Sequence, residues 1–103
     1  MTQTPEFQTA LTNFAAAVQS MLDARYGADY ILGPTTITIE PGRRYTRLYR
    51  VRKGHRQIYC FIDQNGDILK AASYKAPAKH ARGSIFSDDA IKAVNTYGAN
   101  YLR

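Results

Sequence analysis

Five arginines fall within ten residues: Arg43, Arg44, Arg47, Arg50 and Arg52. A guanidinium presents a planar fork of donors that meets phosphate or carboxylate oxygens two at a time, and the use of Arg throughout points to an anionic partner. Odd and even positions both carry Arg, so a strand built here has no cleanly apolar face. The stretch therefore reads in two ways: a face turned to a polyanion, or an edge strand whose charges deter sheet-to-sheet aggregation. Further cations follow at Lys70, Lys75, Lys79 and Arg82. The last three are spaced among small residues over 75–83, a segment without acids, where they can track a phosphate backbone.

Rings accompany the cations. Alternation along 57–63 puts Ile58, Cys60 and Ile62 on one face and Gln57, Tyr59 and Phe61 on the other. The aliphatic set is the better core face, which leaves Tyr59 and Phe61 side by side on the opposite surface. Tyr45 and Tyr49, with Arg47 between them, extend the same platform. Rings framed by basic side chains are how sheet-surface modules stack unpaired bases, at roughly 1–3 kcal/mol per base. The pattern resembles RNA-recognition or cold-shock strands only in part, since neither full motif is present. The competing reading makes these rings a second small core, sealed by Phe86, Tyr97 and Tyr101.

Nothing assembles into catalytic chemistry. His55 and His80 lack the partner spacing of a metal site, which needs three or four ligands. Cys60 lies mid-strand on the expected core face, where a thiol is inert packing. Asp63 and Asp67 flank Asn65-Gly66, and turn chemistry explains both. With no phosphate loop or nucleophile elbow present, the expectation is a non-enzyme without cofactor or metal.

The elements that must position these groups are legible in outline. Thr4-Pro5-Glu6 starts a helix, with Thr as cap and Pro in the first turn. Phe7, Leu11, Phe14, Val18, Met21 and Leu22 then recur at helical spacing, and Gly27 stops the helix, giving a span of roughly 5–26. Strands follow over 35–40, 45–52, 57–63 and 67–74, separated by Pro41-Gly42, by Lys53-Gly54-His55, and by Asn65-Gly66, the strongest hairpin signal in the chain. Residues 75–84 read as a surface loop. Ser87-Asp88-Asp89 caps a short helix running to about residue 94, and 100–103 either frays or adds an edge strand. The expected fold class is α+β: the N-terminal helix on one face of an antiparallel meander of about four strands, with a short C-terminal helix. The opposite face of the sheet is then solvated, used, or buried in a homo-oligomer.

A chain of 103 residues with one cysteine fits a single domain over 1–103 held by an ordinary core, without a disulfide framework. No apolar run approaches the ~20 residues of a membrane span, and the first residues lack a secretory pattern, so a cytoplasmic protein without membrane contact is expected. The charge is segregated. Between residues 41 and 82 lie eleven Lys/Arg against Asp63 and Asp67, whereas the remainder holds three basic and six acidic residues. Such a distribution makes a directional field that draws polyanions.

The run from Gly66 to Lys79 (Gly66-Asp67-Ile68-Leu69-Lys70-Ala71-Ala72-Ser73-Tyr74-Lys75-Ala76-Pro77-Ala78-Lys79), followed by Ala81-Arg82-Gly83 and preceded by Phe61-Ile62-Asp63, resembles a segment of small proteins of tailed bacteriophages. That family carries no assigned activity, so the resemblance implies a phage origin, hence the host cytoplasm, and not a mechanism. The functional expectation is a non-catalytic nucleic-acid-binding protein for DNA or RNA, preferring single strands with weak sequence specificity. Arg43, Arg44, Arg47, Arg50, Arg52, Lys70, Lys75, Lys79 and Arg82 would meet phosphates, while Tyr45, Tyr49, Tyr59 and Tyr74 would stack. The alternative is a protein-interaction module: a phage inhibitor of a host factor or a virion or assembly component, meeting an acidic host or phage protein.

Overall fold

The computed structural model describes residues 4–26, 34–73, 76–95 and 98–99. Helix α1 (Pro5–Tyr26) opens as its sequence demands. The Phe7 N–H donates to Thr4 Oγ1 at 3.1 Å, satisfying one of the orphan donors of the first turn. Phe7, Leu11, Phe14, Val18 and Leu22 are buried along one stripe, with Met21 partly buried beside them.

The stripe lies on a five-stranded antiparallel meander whose spatial order is its chain order: β1 (Thr36–Glu40), β2 (Tyr45–Arg52), β3 (His55–Asp63), β4 (Asp67–Ala71) and β5 (Pro77–Ser84). Thus the α+β class and the meander stand, with a fifth strand at the edge. That strand is the segment expected to be a surface loop. Its apolar alternation is invisible because the inward position is Gly83, where a Cβ would lie 2.7 Å from the Ala93 Cβ. Pro77 sits at its first residue, one of the few places a sheet accepts proline. The expected C-terminal helix is a single 3-10 turn, Ala90–Ala93, followed by the strand pair β6 (Val94–Asn95) and β7 (Gly98–Ala99). Gly27, the expected helix stop, and the 100–103 tail lie outside the described residues.

One irregularity sets the side-chain pattern of the sheet. Leu48 pairs with Cys60 but Tyr49 pairs with Ile58, so Tyr59 is an extra residue in β3. A β-bulge of this kind reverses the phase of alternation on either side of it. Tyr59, Cys60 and Ile62 all join the core under α1, with Leu48 and Ile68, whereas Ile58 does not. The expected split of β3 into an aliphatic and an aromatic face therefore holds only from Cys60 onward.

The core is completed on the same side by Ile85, Ala90, Ala93, Val94 and Ala99. Helix α1 also fastens the sheet's β1 edge: Gln19 Nε2 donates to the Thr35 carbonyl at 2.8 Å, and Gln19 Oε1 accepts from the Ile37 N–H at 2.8 Å.

Candidate nucleic-acid interface

Among the described residues, no helix or second sheet packs on the face turned away from α1. At its centre Phe61 is fully buried, with the Tyr45 ring edge-on at 5.7 Å and the Arg47 guanidinium over it at 5.2 Å from the ring centre. Leu69, directly opposite Phe61 on β4, is buried beside it. Tyr45, Arg47 and Leu69 line a broad groove of about 1030 Å³. Its cations come from three separate places: Arg43 and Arg44 from the β1–β2 turn, Arg47 from mid-β2, and Lys79 from β5. Arg44 also lies 5.6 Å from the centre of the Tyr45 ring.

The groove's geometry is set by its turns. Gln64 Nε2 donates to the Arg43 carbonyl at 2.9 Å, tying the β1–β2 turn to the β3–β4 turn. No sequence pattern signalled that tether. Asp63 and Asp67 also line the groove, but Asp63 Oδ1 accepts the Asn65 and Asp67 N–H groups at 2.9 and 3.0 Å, which is the turn role its sequence implied. Gly66 carries φ +88 in the same turn, and a Cβ there would lie 2.5 Å from the Phe86 ring. Four cations against two acids leave the lining positive. Arg43, Arg44 and Lys79 are exposed, and no ion pair to an acid engages them among the described residues.

The structure gathers Arg43, Arg44, Arg47, Lys79 and Tyr45 and disperses the other expected contacts. Arg50 and Arg52 follow Thr46 and Leu48 in alternation and so belong to the helix side, at the far end of β2. Lys70 donates from Nζ to the Ala99 carbonyl at 3.2 Å, fastening β7. Arg82 turns back to donate to the carbonyl of His80 on its own strand and does not line the groove. Tyr74 and Lys75 lie outside the described residues.

The stacking platform needs a larger correction. Tyr59 and Tyr49 are each 2% exposed and present no ring face to a base. Tyr59 is carried into the core by the bulge, where its hydroxyl donates to the Asn95 carbonyl. Tyr49 lies beneath the Arg56 guanidinium, 4.2 Å above its ring, and its hydroxyl donates to Glu40 Oε1 at 3.2 Å. The expected seal over these rings is also different: Phe86 is 51% exposed and packs edge-on against Phe7, while Tyr97 and Tyr101 are outside the described residues. Among the described residues Tyr45, half-buried, is the one expected stacking ring in the groove.

Among the described residues no three His, Cys, Asp or Glu side chains cluster as metal ligands, and no helix is long and apolar enough to cross a membrane. Fold and groove together define a small α+β protein with a cationic recess on the face of its sheet opposite α1. The chain belongs to a family of unknown function, DUF7717, whose model matches residues 6–99. No curated protein and no solved structure matches it.

Proposed function

We propose that the groove binds the phosphate backbone of single-stranded nucleic acid with little sequence preference. The observation that carries this reading is the convergence of Arg43, Arg44, Arg47 and Lys79 from three segments around one recess. Cations scattered for solubility have no reason to converge. A recess suits a flexible strand, whereas reading a duplex requires an element that protrudes into one of its grooves. With Tyr49, Tyr59 and Phe61 buried, Tyr45 is the ring that the described residues offer, and phosphate contacts supply most of the affinity.

The test is fluorescence anisotropy of labelled oligothymidylate across a salt series. About −0.7 per phosphate contact in log–log slope is expected for single strands, hence a slope of about −3 for four cations. The triple variant Arg43→Glu, Arg44→Glu, Lys79→Glu should abolish binding to every sequence alike. A flat salt response, or a variant that binds as the parent does, overturns the proposal. So does a protein that ignores nucleic acid and co-elutes with an acidic polypeptide.

A further inference from the structure

The geometry points to a second anion site, for a tetrahedral phosphate group, at the tip of the β2–β3 hairpin and distinct from the groove. Cross-strand pairing sets Arg50 opposite Gln57 and Arg52 opposite His55, making a square of four side chains on one side of the sheet. With Lys53 and Thr35 they line a concavity of about 300 Å³ that no Asp or Glu enters among the described residues. Three fixed positive charges thus line one small recess, with room for a phosphate group and its hydration water. Like charges lining one recess repel, and a bound dianion would reverse the sign of that interaction.

The donors are already oriented. Arg50 Nη2 donates to Gln57 Oε1 at 2.7 Å. Arg52 donates from Nε and Nη2 to the hydroxyl of buried Thr35, at 3.0 and 2.6 Å. These two anchors are neutral and orient the guanidiniums, so less freedom is lost when an anion arrives. Lys53 is held in the left-handed region at φ 52, and Gly54 follows at φ 80, the two-residue turn that places Lys53 at the rim.

A phosphate group reaches such a site either as a free small anion or as the terminal phosphate of a bound strand. The experiment is an amide-resolved NMR titration of the full chain with inorganic phosphate, followed by 5′-phosphorylated and unphosphorylated oligothymidylate. Saturable shifts at Lys53, Gly54 and His55 are expected with phosphate. They should weaken about tenfold or more in Lys53→Asn, the loss of one charge-assisted contact. Asn tolerates the left-handed backbone, so the hairpin survives that change. Arg50→Gln is the second variant, expected to weaken the same shifts. If only the 5′-phosphorylated strand reproduces them, the site takes a strand end; if both strands leave them unchanged while phosphate induces them, it takes a free anion. Either result supports the site. Absence of saturable shifts at the hairpin, or shifts that persist in both variants, overturns it. The groove triple variant should leave the phosphate titration intact, so failure of the groove reading and failure of this one are told apart.

Discussion

Tyr59 and Cys60 adjoin at the bulge of β3, both inside the core. Burial pushes both ionisations up, and for Tyr59 the neighbouring Cys60 adds to the rise while Arg50 partly opposes it. In the unfolded chain the thiol titrates near 9 and the phenol near 10. Below those values both groups stay protonated in folded and unfolded chains alike, so their contribution is fully present. Above them only the unfolded chain releases protons, and stability falls by up to about 1.4 kcal/mol per pH unit for each group. Thermal melts from neutrality to about pH 11 should therefore show a steep alkaline decline. Tyr59→Phe should make that decline shallower. An unaltered alkaline limb would remove the phenol from this account. The same residue shows where sequence reading fails. Tyr59 alternates correctly for the outer face, and its position as the unpaired residue of the bulge, which turns it inward, has no signature in residue types.

The edges of the sheet decide how its elements stay apart from other chains. An edge strand offers unpaired N–H and C=O groups as a template for aggregation. At β1 the Gln19 amide occupies Thr35 and Ile37, and Pro41, which has no N–H, stands just past Glu40. Gln19→Ala leaves the Ile37 N–H without its partner and should cost about 1 kcal/mol in urea unfolding, with faster exchange at the Ile37 amide. Unchanged exchange there would show the clamp to be idle. The arginine run supplies no protection of this kind, because β2 is an interior strand between β1 and β3. Its arginines instead divide between faces, Arg47 to the groove and Arg50 and Arg52 to the hairpin site.

At the scale of the molecule, one cluster joins α1, β2, β3, β4, the 3-10 turn, β6 and β7. A core shared by every layer predicts one cooperative unfolding transition, with far-ultraviolet circular dichroism and tyrosine fluorescence coinciding. Two separated transitions would contradict it. Both cationic sites lie outside that cluster, so their variants should alter binding with only small changes in stability. The charge segregation along the chain becomes, in space, a groove on one face and a hairpin tip on the other.

Periodicity and turn chemistry by themselves determined α1, with its Thr4 cap and apolar stripe, and the meander from 36 to 71 with its turns. They are local properties, fixed by neighbours within a few residues. The tertiary structure alone decided that Pro77–Ser84 is a strand, because its pairing with β4 makes it one and the close approach of Ala93 puts a glycine at its inward position 83. It alone decided, too, that Tyr49 and Tyr59 are buried and that only some of the cations meet. One unpaired residue in β3 inverts the faces before it, and which charges converge depends on turns tied together by contacts such as Gln64 to Arg43, which sequence spacing does not encode.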